Sequence, residues 1–107
     1  MVVYGYWGAS RFFYCAKTSK KERGEGNNHP TVKPVSLIEY LVRLVTPPNG
    51  IVLDPFIGSG TTVIACINMD KNYIGFELEK NYIDIAHKRI IDAIEQKRLS
   101  QRQKKLF

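Results

Sequence analysis

Asp54-Pro55-Phe56-Ile57-Gly58-Ser59-Gly60-Thr61-Thr62 and, further along, Glu77 are the residues of this 107-residue chain whose types and spacing could do chemistry. Asp54 closes a short apolar run, Ile51-Val52-Leu53, and a Gly-x-Gly turn follows it. Glycines at 58 and 60 remove the side chains that would hold a ligand away from the backbone. Their N–H groups and the start of a helix would then add positive potential. Glu77 closes a second apolar run twenty-three positions after Asp54, a separation that suits hydrogen bonds to ribose hydroxyls. The pattern is that of a nucleotide-type pocket, with a purely structural turn as the alternative. Two phosphate-binding loops are excluded by named residues: a P-loop needs Lys where this chain has Thr61, and the dinucleotide fingerprint needs a third glycine where it has Val63.

The two acids narrow the ligand. A pocket with carboxylates and no neighbouring Lys or Arg in its loop suits a cation and an amino group better than a pyrophosphate. S-adenosylmethionine offers both, with a ribose for Glu77 and an adenine to stack on an apolar wall.

These residues need strands to end on and helices to cover them. Ile51-Val52-Leu53 predicts a strand buried on both faces of a parallel sheet, Val63 to Ile67 a helix packed on it, and Tyr73-Ile74-Gly75-Phe76 a second strand. A last helix starts near Glu79, carries Tyr82, Ile83, Ala86, Ile90 and Ile94 on one face, and runs on into a basic tail. Strand, helix, strand, helix is α/β architecture with a right-handed crossover. Upstream, Leu37, Ile38, Leu41, Val42, Leu44 and Val45 recur at helical spacing; Pro34 suits the first turn of that helix and Pro47-Pro48-Asn49-Gly50 stops it. Lys17 to Asn28 reads as a solvated loop that nothing local orders, and Arg11-Phe12-Phe13-Tyr14-Cys15-Ala16 as a buried strand.

Composition bounds the rest. With 44% apolar and 24% charged residues the chain is globular, and 107 residues make one domain at most, short for an enzyme with a two-substrate cleft. Sixteen Lys and Arg against ten Asp and Glu give +6. Residues 88–107 hold seven of those cations (Lys88, Arg89, Lys97, Arg98, Arg102, Lys104 and Lys105) against Asp92 and Glu95. That stretch is either an electrostatic footprint for phosphates or a solvated helix end complementing its own dipole. Cys15 and Cys66 sit in apolar company without C-x-x-C spacing, which suits buried thiols in a reducing compartment. No membrane span, signal peptide or metal cluster is legible, so a cytoplasmic location is expected.

His29-Pro30-Thr31-Val32-Lys33-Pro34, Asp54 to Thr62, and Ile74-Gly75-Phe76-Glu77-Leu78-Glu79-x-x-Tyr82, in that order, resemble the C-terminal part of prokaryotic DNA amino-methyltransferases, the N4-cytosine and N6-adenine enzymes. The resemblance covers about residues 10–92. It implies a partial Rossmann-like, S-adenosylmethionine-dependent methyltransferase fold, three-layered with an incomplete, mostly parallel sheet. Residues 29–97 would be its cofactor-binding part, 1–28 an N-terminal strand and polar loop, and 98–107 a basic tail. By position, Asp54, Phe56, Gly58, Ser59, Gly60 and Thr61 match the cofactor loop, with Asp54 near the methionine amino group. Glu77 matches the ribose-binding acid. Thr31 and Lys33, with His29 beside them, match the segment that closes over the methionine moiety, Lys33 acting as a point charge on its carboxylate. Without that motif His29 would read as a solvated loop residue, as His87 reads as a helix surface residue.

The family's Asp/Asn/Ser-Pro-Pro-aromatic motif, which holds the flipped base, has no match. The one Pro-Pro, in Thr46-Pro47-Pro48-Asn49, lacks the aromatic and falls at a helix stop. No catalytic residue is assigned. The expected function is therefore a DNA amino-methyltransferase represented by its cofactor-binding part, inactive alone, with double-stranded DNA met through a region absent from these residues. The alternatives are a subunit completed by a separately encoded N-terminal methyltransferase polypeptide, and a non-enzymatic basic module that binds nucleic acid.

Overall fold

The structure, a computed structural model, describes residues 17–106. The strand expected at Arg11–Ala16 and the thiol of Cys15 lie outside the described residues. Six elements follow one another: α1 (Lys20–Arg23), α2 (Val35–Val45), β1 (Ile51–Asp54), α3 (Thr61–Asn68), β2 (Asn72–Gly75) and α4 (Lys80–Leu106). β1 and β2 pair in parallel with Ile51 opposite Asn72 and Asp54 opposite Gly75, so both strands end on the same side. The α/β reading of the sequence holds, with β2 shifted one residue upstream of its expected span.

α3 is the packing centre, touching α2, α4 and β2. Val63, Ile64, Ala65 and Cys66 are buried there, joined by Val42 from α2 and Ala86 from α4. Small residues let the helices approach closely, and the Cys66 thiol, pushed above its ordinary pKa by burial and then by the charge of Asp54, serves as a small hydrophobe.

Four expectations need correction. β1 is not buried on both faces: Ile51 and Leu53 are 61% and 63% exposed while Val52 and Asp54 are half-buried. Its continuous apolar run anticipates cover on two sides, and among the described residues it has cover on one. Lys17 to Asn28 is ordered, because the Ser19 hydroxyl caps α1 by accepting the Glu22 amide at 3.1 Å and buried Asn27 donates to the Arg23 carbonyl at 2.8 Å. Pro34 stands one residue before α2, as its N-cap. It offers no side-chain cap, and Glu22 supplies one from α1, its Oε1 accepting the Val35 amide at 2.7 Å. Ile94, expected on the packed face of α4, is 41% exposed.

α3 ends in a Schellman turn. The Lys71 amide donates to Cys66 O at 2.9 Å and the Asp70 amide to Ile67 O at 3.3 Å, with Asp70 in the left-handed region at φ 55° where glycine is usual. Lys97 of α4 covers this end, its ammonium donating both to Ile67 O and to the Asp70 carboxylate.

Candidate functional site

Asp54 and Glu77 come together because their strands are neighbours and both terminate at the same edge of the sheet. Asp54 organises the turn that follows it: Oδ1 accepts the Phe56 amide at 2.9 Å and Oδ2 the Thr62 hydroxyl at 2.6 Å. Glu77 closes the turn from the other strand. Its Oε2 accepts the Gly58 amide at 2.9 Å, and its Oε1 accepts Leu78 and Glu79 amides at 2.9 and 3.0 Å. These bonds, the one from Glu79 foremost, hold Glu77 below the ordinary carboxylate range against the opposing effect of desolvation; nearby His29 adds to the lowering.

Backbone bonds complete the cradle. Phe76 donates to Asp54 O and Ile57 donates to Phe76 O, each at 3.0 Å, and Gly60 donates to Ile57 O at 2.8 Å. The amides of Phe56, Ile57, Gly58 and Gly60 are thus all used within the protein. The expectation that the glycine amides face a ligand is answered differently, because here the glycines admit close neighbours. Gly58 has φ 53°, and a Cβ on it would lie 2.7 Å from His29 Nε2. A Cβ on Gly60 would meet the Ala86 methyl at 3.1 Å, and one on Gly75 the Ile57 side chain at 2.4 Å.

His29 is not a solvated loop residue. Its ring packs on Tyr82 of α4 with centroids 4.4 Å apart, its Nδ1 accepts the Thr31 amide at 3.2 Å, and its own amide donates to Asn27 Oδ1 at 3.0 Å. Arg23 donates to its carbonyl. The structure therefore brings His29, Asp54, Phe56, Gly58 and Glu77 together. Phe56, 85% exposed, offers an open aromatic face beside the two acids. Thr31 joins through its backbone, while exposed Lys33 has no hydrogen bond or ion pair among the described residues. Ser59 and Thr61 are buried with their hydroxyls against Arg89.

Arg89 is the residue that sequence reasoning missed. Counted among the cations of a basic tail, it is 7% exposed and donates to Ser59 O at 2.8 Å, Ser59 Oγ at 2.9 Å, Thr61 Oγ1 at 3.3 Å and Glu22 O at 3.2 Å. Burial lowers its pKa, opposed by the charge of Glu22. Its helical spacing is the available signal, since it lies three positions beyond Ala86, which meets Gly60, and seven beyond Tyr82, which packs on His29. With Lys97 also engaged, the basic stretch has two fewer cations for phosphates than its composition suggests.

The profile of the N6/N4 DNA methylase family matches residues 3–88. This chain belongs to that family. Among its relatives, the type II methyltransferase M.BglII of Bacillus subtilis is 49% identical over 63 residues, which is 59% of this chain and 18% of that protein. The crystal structure of the M1.HpyAVI–SAM complex is 52% identical with a TM-score of 0.56, over 59% of this chain and 31% of that one. The cytosine-N4-specific PvuII DNA methyltransferase is 28% identical with a TM-score of 0.54, over 64% of this chain and 28% of that one. The α/β arrangement is thus part of the fold of these methyltransferases, and the chain spans less than a third of the length of the proteins it matches. Among the described residues no helix is long and apolar enough to cross a membrane.

Proposed function

We propose that this chain is the cofactor-binding part of an S-adenosylmethionine-dependent DNA methyltransferase acting on the exocyclic amine of adenine N6 or cytosine N4. The observation that carries this reading is the pair of strand-end carboxylates locked by the turn between them. Each of Asp54 Oδ1, Asp54 Oδ2 and Glu77 Oε2 accepts one bond from the protein and keeps a lone pair for a ligand, whereas Glu77 Oε1 already accepts two. That donor set fits the cofactor. Glu77 Oε2 would accept from a ribose hydroxyl, Asp54 from the methionine amino group, and Phe56 would offer a stacking face for adenine. Lys33, with no hydrogen bond or ion pair among the described residues, would reach the methionine carboxylate, with His29 and Thr31 holding the segment that carries it.

S-adenosylmethionine, when bound, supplies a methyl group activated as a sulfonium. The chain's part is orientation, since transfer to an aromatic amine is chiefly a matter of placing donor and acceptor in line. These 107 residues carry no Pro-Pro-aromatic motif for the acceptor, and so transfer no methyl group unaided. Calorimetry should show S-adenosylmethionine bound in preference to ATP and NAD; preference for either nucleotide would end the reading. Labelled S-adenosylmethionine and DNA should give no methylated product with the pure chain, and detectable transfer would contradict the inactivity.

The uncovered sheet favours one refinement, a methyltransferase completed by a separate polypeptide bearing the catalytic motif. Leu53 and Ile74, on strands of a type that normally lies covered, are 63% and 48% exposed, and Phe76 just past the end of β2 is 58% exposed. Co-expression with the N-terminal part of a relative such as M.BglII should restore DNA methylation; a soluble pair that stays unassociated and inactive would remove this refinement. DNA is the expected partner of the assembled enzyme, in a cytoplasmic setting.

A further inference from the structure

Arg89 projects from α4 beneath the glycine turn and touches three segments at once. One nitrogen, Nη1, reaches Ser59 O, Ser59 Oγ and Thr61 Oγ1, and Nη2 reaches Glu22 O at the end of α1. No carboxylate pairs with it directly; among the described residues the one ion pair is Lys97–Asp70, and Glu22 spends a carboxylate oxygen on the Val35 amide. A cation at the N-terminus of α3 also opposes that helix's dipole. Stability alone gives little reason for a charge here, since burying an ion without a direct counter-ion is costly and an apolar side chain would fill the same space. What an apolar side chain would lack is a rigid planar fork, one nitrogen on a carbonyl and two hydroxyls of the turn and the other on the carbonyl that ends α1.

We infer that Arg89 is a positioning residue for the cofactor turn. Its guanidinium fixes Ser59 to Thr61, the segment between Asp54 with its Phe56 contact and the Thr62 hydroxyl that Asp54 also binds. Through that segment it sets how the Asp54 and Glu77 carboxylates face the ligand, without touching the ligand itself. The inference rests on the cofactor reading given above, but the order it describes in the turn exists without ligand.

A cavity of about 400 Å³ adjoins the guanidinium, lined by Lys21, Glu22, Ile64, Asn68 and Asp92 as well as Arg89, and leaves room beside the turn for a small cation. The test is therefore chemical rescue. Arg89→Ala and the volume-preserving Arg89→Met are compared with the unaltered chain by amide hydrogen exchange and by calorimetry with S-adenosylmethionine. Both variants should exchange faster at Ser59 to Thr61 with Leu53 and Ile74 unchanged, and bind the cofactor about tenfold or more weaker. Millimolar methylguanidinium should reverse both effects in Arg89→Ala and neither in Arg89→Met, where the space is filled. Wild-type exchange at the turn in Arg89→Met, or no rescue of Arg89→Ala, would overturn the inference. Should the unaltered chain bind no S-adenosylmethionine, the cofactor reading falls, and the exchange and rescue data still decide the role of Arg89 in the turn.

Discussion

Glu77 Oε2 accepts the Gly58 amide at 2.9 Å, tying the end of β2 to the turn that follows β1. The bond couples the candidate ribose acid to the shape of the glycine turn, so the charge of one governs the order of the other. Because the Glu79, Leu78 and Gly58 amides depress the folded-state pKa of Glu77, its contribution to stability is complete above the ordinary glutamate pKa of about 4.3 and is lost as pH falls through the lower folded value. Urea midpoints measured down through that acid window should fall more steeply for the unaltered chain than for Glu77→Gln. Parallel curves for the two proteins would show that the carboxylate does not hold the turn.

Gly58 and Gly26 both adopt left-handed backbone, at φ 53° and 74°, but only Gly58 has a neighbour where a Cβ would stand. Gly26→Ala should cost about 1 kcal/mol from backbone strain alone. Gly58→Ala adds the 2.7 Å approach to His29 Nε2 and should cost clearly more. The excess should shrink when His29→Ala is combined with it, which a double-mutant cycle of thermal unfolding measures. Equal costs for the two glycines would mean that His29 moves aside freely.

Lys97 caps α3 from α4, while the helix beyond it, with Leu99 and Leu106 at 59% and 79% exposed, runs out along the surface. Lys97→Met should lower stability by about 0.5–1 kcal/mol, less in high salt because Asp70 is exposed. Deleting residues 99–107 should leave the urea midpoint in place. A large loss on that deletion would move the start of the dispensable tail downstream of residue 98.

The positions of β1, α3, β2 and α4 are legible because each has a local cause: an apolar run stopped by Asp54, a glycine turn opening Thr61–Asn68, the run Tyr73-Ile74-Gly75-Phe76 before Glu77, and a period of 3.6 from Tyr82 to Ile90. The pairing of Asp54 with Glu77 followed from the parallel strands. α1 is too short for a periodic signal: beyond the local Ser19 cap and the Asn27 bond to the Arg23 carbonyl, it is held by contacts remote in sequence, Glu22 to the Val35 amide that opens α2 and Arg89, sixty-seven positions on, to the Glu22 carbonyl. The use of the turn amides was missed for a related reason. Gly58 donates to an acid nineteen residues later, and nothing in a Gly-x-Gly string says whether such an amide faces a ligand or the protein.

One helix grips another at both ends. Arg89 holds the start of α3 and Lys97 holds its finish, and the step of eight positions from one cation to the other is close to the length of the eight-residue helix Thr61–Asn68. Each residue added to a helix advances it about 1.5 Å and turns it about 100°. A single insertion or deletion between positions 89 and 97 would therefore swing one of the two grips off its target, even though Ile91, Asp92 and Glu95 are exposed and open to substitution. This stretch of surface is free in its side chains and fixed in its length.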